Sequence, residues 1–124
     1  GECGACTVLI DGRPALACLT LAVAADGHAV TTVEGLQDPN TGAIDPLQQA
    51  FIDEAAFQCG YCTPGMLMTT KALLNELPHP SEQDVREYLK GNRCRCTGYV
   101  SIVRAVLKAV EGNQREDAVV AKLI

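Results

Sequence analysis

The stretch QCGYCTPG, residues 58–65, places two cysteines three positions apart between two segments of helical pattern. A second close pair, Cys94 and Cys96, lies between two further helical segments. In an antiparallel four-helix bundle, the first and third connections lie at the same end. The sequence therefore predicts that four thiols converge at one end of a helical bundle.

The helical pattern begins after a turn-rich linker at residues 38–42. Pro46 is well placed to begin the first helix, because proline is tolerated in the first turn. Thr63 is expected to cap the second helix, with Pro64 as its first residue. The apolar positions predicted for the first helix are Leu47, Phe51, Ile52, Ala55 and Ala56.

Two further helices follow. Ser81 with Asp84 is typical of the capping box that begins a short helix. A fourth helix is expected from about Tyr99 to Glu111, where apolar residues recur at helical spacing. Residues 112–124 carry no clear stop signal and are expected to form a loosely ordered tail that docks on another surface.

The first part of the chain has a strand-like pattern instead. Thr7–Ile10 is apolar and partly β-branched, and the Asp-Gly sequence at residues 11–12 marks a tight turn. Ala15–Leu19 and Ala29–Val33 are the two other strand candidates. Three short strands make a thin sheet with exposed edges, so this half of the chain is expected to be part of a larger unit.

Composition narrows the function classes. Aromatic residues make up only 4 % of the chain, so the core must consist of small apolar residues and would gain from a covalent or metal staple. A net charge of -5 argues against a nucleic-acid partner. No apolar run approaches ~18 residues, so a membrane-spanning helix is not expected.

The cysteines suit metal binding better than disulfides. Their number, seven, is odd, and six of them lie in close sequence pairs. Four of these, Cys59, Cys62, Cys94 and Cys96, suit either an iron–sulfur cluster or a structural zinc ion, because both accept four thiolates. The one-residue gap between Cys94 and Cys96 is less usual for zinc and favours iron–sulfur. Ligand type alone leaves both alternatives open.

A second constellation lies at the start of the chain. Plant-type ferredoxins bind their cluster with a cysteine, four residues, a cysteine, two residues, a cysteine and a distant cysteine. Cys3, Cys6 and Cys18 match the last three of these ligands. The first ligand would precede Gly1, so we expect the fourth ligand to lie off the chain.

The surroundings of the four-thiol set also fit negatively charged sulfur. Cys62 precedes the second helix, where the helix dipole favours a thiolate. Arg93 and Arg95 either offset the charge of the thiolates or belong to a solvated surface. Three glycines are expected to let backbone approach the sulfurs closely: Gly60, Gly65 and Gly98.

These motifs resemble those of one family over about residues 1–111. Residues 58–65, together with CRCTGY at 94–99 and GECGACTV at 1–8, are similar to the iron–sulfur subunit of the molybdenum hydroxylases. That family includes the xanthine dehydrogenase, aerobic carbon monoxide dehydrogenase and aldehyde oxidoreductase types. All three motifs occur in the family's order.

The resemblance implies an α+β fold with two domains. Residues 1–38 would be the C-terminal part of a β-grasp ferredoxin-type domain whose N-terminal part is missing. Residues 39–111 would be an all-α four-helix [2Fe-2S]-binding domain, and residues 112–124 a tail.

The resemblance also implies cofactors and site roles. Cys59, Cys62, Cys94 and Cys96 would hold one [2Fe-2S] cluster, and Cys3, Cys6 and Cys18 three-quarters of the ligands of another. Gln58 would contact the molybdopterin of a large partner subunit; the alternative is a side chain that bonds local backbone. Electrons would pass from the molybdopterin through both clusters to FAD on a medium subunit.

The sequence thus predicts an oxidoreductase subunit that relays electrons, with substrate chemistry on another subunit. It offers no catalytic group beyond the cysteines, since His28 and His79 have the context of turn residues. A zinc-stabilised interaction module and a stand-alone ferredoxin-like carrier are the alternatives. The cytoplasm is the expected compartment, with the periplasm as an alternative, and the sequence does not name the substrate.

Overall fold

The computed structural model describes the backbone of residues 1–121 and the side chains of residues 1–112. These residues form a small antiparallel sheet followed by α-helices, joined by turns and short 3-10 segments. The strands are β1 (Thr7–Ile10), β2 (Arg13–Leu16) and β3 (Val30–Thr31). The helices are α1 (Pro46–Asp53), α2 (Thr63–Glu76), α3 (Glu82–Tyr88) and α4 (Val100–Ala121). The predicted α+β class is confirmed.

The sheet has β1 at its centre, with β2 on one side and β3 on the other. Asp11 and Gly12 both have positive φ angles, of 49° and 78°, which is the geometry of a two-residue hairpin turn. Because this turn takes only two residues, β2 begins at Arg13 rather than at the predicted Ala15. The predicted end of that strand, Ala17–Leu19, is a 3-10 turn.

The start of α1 is fixed by Asp45. Its carboxylate accepts a hydrogen bond from the Leu47 backbone N–H at 2.8 Å and another from Lys71 Nζ on α2 at 2.6 Å. The predicted start at Pro46 is confirmed. The helix ends at Asp53, and Ala55 has a φ angle of 48°. Ala55 is therefore exposed, contrary to its predicted place on the apolar face.

Helix α2 is the central element of the fold. One side packs with α1 and α4 in the main core, and Met68 and Ala72 face Leu9 of β1 in a second apolar cluster. It begins one residue earlier than predicted, because Cys62 occupies the capping position and Thr63 is the first helical residue. The side chain of Cys62 makes no capping hydrogen bond.

The last two helices close the bundle. The predicted capping box of Ser81 and Asp84 is confirmed, with Ser81 Oγ accepting from the Asp84 N–H at 3.2 Å. Helix α4 continues past the predicted end at Glu111 to Ala121, and no proline interrupts it. Residues 122–124 of the predicted tail lie outside the described residues. Within the part that is described, no helix has the length and apolar character needed to cross a membrane.

Candidate metal centre

The α1–α2 and α3–α4 connections meet at one end of the helical part of the chain, residues 39–111, which is called the helical half below. They bring four thiols together. The sulfur atoms of Cys59 and Cys96 are 3.5 Å apart. The thiols of Cys62 and Cys94 are also in hydrogen-bonding contact with each other. The convergence predicted from the cysteine spacing is therefore observed, and it takes the form of two pairs that each join one loop to the other.

The two pairs differ in exposure. Cys59 and Cys96 are exposed, whereas Cys62 and Cys94 are partly buried and pack against the helical core. Beside them, the Tyr61 side chain is 86 % exposed.

Among the described residues, no group of three or more histidine, cysteine, aspartate or glutamate side chains is arranged to hold a single metal ion. Two close pairs of thiols suit a pair of metal ions better than one.

Of the two partly buried thiols, Cys94 ionises more readily than Cys62. Burial raises its pKa, but hydrogen bonds from Thr97 outweigh this and bring the pKa down to about 7. The Thr97 hydroxyl lies 3.0 Å and the Thr97 N–H 3.3 Å from the Cys94 sulfur. A thiolate at this position is therefore stabilised before any metal binds.

Cys62 shows the opposite behaviour. Burial raises the pKa of its thiol to about 11, and the neighbouring thiols of Cys94 and Cys59 contribute to the same rise. The expectation that the start of α2 would favour a thiolate here is wrong for the metal-free thiols. The side chain makes no hydrogen bond to the free N–H groups of the helix, so burial outweighs the helix dipole.

The loop of residues 94–99 is held by the side chains of Tyr99 and Gln58. Tyr99 has a φ angle of 72°, and its hydroxyl accepts a hydrogen bond from the Cys94 N–H at 2.8 Å. Gln58 Nε2 donates to the Cys96 carbonyl at 3.1 Å and so ties the two cysteine loops together. The alternative role predicted for Gln58 was a bond to local backbone, but the carbonyl that it reaches is 38 positions away in sequence. No role was predicted for the Tyr99 hydroxyl.

The three remaining cysteines lie together at the start of β1 and the end of β2. The Cys18 N–H donates to the Cys6 sulfur at 3.5 Å, and the two thiols are in contact. The Gly1 nitrogen lies 3.2 Å from the Cys18 sulfur. This hydrogen bond to Cys18 raises the pKa of the Gly1 amino group, and the nearby Cys3 thiol contributes to the same rise. Cys3 and Cys18 are exposed.

The glycines near the thiols are required for reasons other than a close approach of the backbone to sulfur. Gly60 and Gly98 have positive φ angles of 84° and 68° and face open space. Gly65 is needed for a different contact, because a Cβ atom there would lie 2.0 Å from the Gly4 carbonyl oxygen. The exposed Arg93 pairs with Glu2 at 3.2 Å rather than with sulfur.

Comparison with known proteins agrees with this geometry. Residues 32–107 match the family described as "[2Fe-2S] binding domain". The chain is 52 % identical over 119 residues to a probable xanthine dehydrogenase component of Bacillus subtilis, and the match covers 94 % of this chain and 67 % of that protein. It is 48 % identical over 111 residues to a nicotinate dehydrogenase small FeS subunit of Eubacterium barkeri, covering 90 % of this chain and 69 % of that one.

A solved structure shows the same fold. Quinoline 2-oxidoreductase from Pseudomonas putida contains a chain that superposes with a TM-score of 0.85 at 48 % sequence identity, covering 93 % of this chain and 71 % of that one. Fold and thiols thus define a [2Fe-2S]-binding protein. More narrowly, the chain belongs to the family of iron–sulfur subunits of the molybdenum hydroxylases.

The donor set of the helical half fits a [2Fe-2S] cluster. Such a cluster takes four cysteine thiolates, two on each iron. The pairs Cys59 with Cys96 and Cys62 with Cys94 provide this number in a suitable grouping. When bound, the cluster supplies one-electron redox chemistry, while the chain supplies ligands, hydrogen bonds and partial exclusion of water.

Replacing Thr97 by valine is expected to lower the midpoint potential of the helical-half cluster. The Thr97 hydroxyl donates to the Cys94 sulfur, and this bond stabilises the more negative reduced form. A net hydrogen bond contributes about 1 kcal/mol, which corresponds to about 40 mV for one electron. An EPR-monitored redox titration measures the shift, and Thr97→Ser, which keeps the hydroxyl, is the matched control. Equal potentials for wild type and the valine variant would contradict the assignment.

Proposed function

We propose that this chain carries electrons, one at a time, from a molybdopterin centre on a large partner subunit to FAD on a medium subunit. The observation that carries the proposal is the presence of two separate groups of thiols on loops in direct backbone contact. The Arg93 N–H, next to Cys94, donates to the carbonyl oxygen of Cys3 at 2.8 Å. A chain with two adjacent groups of metal-binding thiols suits a relay.

The helical half holds the first cluster in this proposal. Cys59, Cys62, Cys94 and Cys96 are its ligands, and residues 39–111 form the domain around it. Support comes from the pairing of the four thiols and from the family match, which spans all four. Two of these thiols are exposed, so the cluster would lie at a surface that a partner subunit can cover.

The sheet half holds part of a second cluster. Cys3, Cys6 and Cys18 are three of its ligands, and the fourth comes from outside this chain. We assign residues 1–38 to the C-terminal part of a β-grasp domain, because β3 has a partner strand on one side only among the described residues. An additional strand on its other side would extend the sheet.

The reaction of the complete enzyme is decided elsewhere. The relatives act, by their names, on substrates as different as xanthine and nicotinate, and the similar solved structure is an oxidoreductase of quinoline. Substrate chemistry therefore belongs to the large subunit, and this chain contributes electron transfer. We place the chain in the cytoplasm, where thiols stay reduced until a cluster is assembled.

Metal analysis of the full-length protein, purified without oxygen, tests the first cluster. We expect Cys94→Ser to lose about two iron and two acid-labile sulfide per chain, the content of one [2Fe-2S] cluster. Cys18→Ser is the matched control, because it removes a thiol from the other group and leaves the helical-half EPR signal in place. One zinc per chain without sulfide would contradict the relay and favour a structural module.

Gln58 is proposed to contact the molybdopterin of the partner. Its side chain is exposed and anchored through Nε2 to the Cys96 carbonyl, at the mouth of the helical-half site. The same amide has a second N–H and a carbonyl oxygen that make no hydrogen bond with the described residues. This N–H and this oxygen are suitable for hydrogen bonds to the polar edge of the pterin ring.

In the assembled enzyme, Gln58→Ala is expected to slow electron entry into the helical-half cluster about tenfold, as loss of an outer-shell partner typically does. Rapid-reaction spectroscopy of cluster reduction by substrate measures this rate, with exposed Gln37→Ala as the control. If the variant shifts the cluster's potential but leaves the entry rate unchanged, Gln58 serves only the Cys96 carbonyl and the pterin contact is wrong.

A further inference from the structure

Asn92 connects the two cysteine-bearing halves of the molecule. Its side chain is 5 % exposed, and its Nδ2 donates to the carbonyl oxygen of Gly4 at 3.2 Å, across 88 positions of sequence. Gly4 lies between two cysteines of the sheet half, and Asn92 lies two residues before Cys94. This buried hydrogen bond is a tertiary contact that ties the Gly4 loop to the segment before Cys94, and it is called the tie below.

The loop that Asn92 holds is closely packed on two sides. On one side, Gly65 is so close that a Cβ atom there would meet the Gly4 oxygen at 2.0 Å. On the other side, a Cβ atom on Gly4 would lie 2.6 Å from Asn92 Nδ2. The Gly4 backbone is therefore enclosed between the start of α2 and the Asn92 side chain.

The other end of Asn92 reaches the helical-half thiols. Its backbone carbonyl accepts a hydrogen bond from the Tyr99 hydroxyl at 3.1 Å. That hydroxyl in turn accepts from the Cys94 N–H at 2.8 Å. One continuous set of hydrogen bonds thus runs from Gly4 through Asn92 and Tyr99 to Cys94.

The tie places two cluster ligands almost next to each other. With the loop held at Gly4, the carbonyl oxygen of Cys3 accepts a hydrogen bond from the Arg93 N–H at 2.8 Å. Arg93 is bonded directly to Cys94. The backbones of Cys3 and Cys94 are therefore connected by one hydrogen bond and the backbone of Arg93.

We infer that Asn92 is a positioning residue for electron transfer between the two cysteine groups, acting through the hydrogen bond from the Arg93 N–H to the Cys3 carbonyl. This rests on the proposed function, in which both groups hold clusters. One electron passes, so the donor site is oxidised and the acceptor site is reduced, with no bond made or broken. Asn92 contributes by keeping the connecting backbone in register.

A purely structural role for Asn92 makes a different prediction. Removing one partner of a buried hydrogen bond destabilises a protein in any case. A structural residue would lower the melting temperature and leave communication between the two sites unchanged. The decisive readout is therefore the interaction between the sites.

The experiment uses the full-length protein in its assembled enzyme. Asn92→Leu keeps the side-chain size and removes the donor, and Asn75→Leu, at an exposed asparagine of α2, is the matched control. Hydrogen exchange at the Arg93 amide is expected to accelerate about tenfold, because the tie that closes this contact is lost. Asn92→Ser, whose side chain is too short to reach Gly4, serves if the leucine variant does not accumulate with full iron content.

The main measurements are the magnetic splitting between the two reduced sites by EPR and the rate of electron transfer between them. We expect weaker splitting and a rate about tenfold lower, as when a supporting residue is lost, with unchanged iron content and midpoint potentials. Wild-type splitting and rate in both Asn92 variants would overturn the inference alone. A wild-type protein with only one iron–sulfur EPR signal would overturn the proposed two-cluster relay, and the inference with it.

Discussion

The close packing of Gly4 against Gly65 is the contact on which the arrangement of the two halves depends. A side chain at Gly65 would push into the Gly4 carbonyl, so the loop with Cys3 and Cys6 can lie directly on the first turn of α2 only because Gly65 lacks one. That same turn follows Cys62, and α2 also packs against Leu9 of β1 through Met68 and Ala72. One helix start therefore sets the positions of both groups of thiols.

The two partly buried thiols of the helical half differ in how readily they lose a proton. Cys94 has a pKa of about 7 and Cys62 one of about 11, although their sulfurs are in contact. A thiolate next to a thiol avoids the repulsion of two buried negative charges. Cluster assembly must remove the proton from Cys62, and the positive charge of the metal makes this favourable.

Local sequence patterns predicted those features of the fold that depend on residues close together in the sequence. The start of α1 at Pro46, the capping box at Ser81 and the meeting of the two cysteine loops follow from spacing, helix period and short connections. The pKa of Cys62 could not be predicted in this way, because it depends on burial by residues from other elements. The continuation of α4 past Glu111 was missed because Gly112 is a poor helix former and the polar residues 113–117 end the apolar pattern. Contacts over long sequence distance were the main omission: the bond from Asn92 to Gly4 spans 88 positions, and nothing in either local sequence indicates its partner.

Iron K-edge X-ray absorption of the full-length protein tests whether the four thiols of the helical half hold an iron–sulfur cluster. With the sheet-half thiols replaced by serine, we expect a first shell of sulfur alone around iron and a second shell that contains another iron, as in a [2Fe-2S] cluster. Zinc in place of iron, or a sulfur shell without a neighbouring iron, would contradict it.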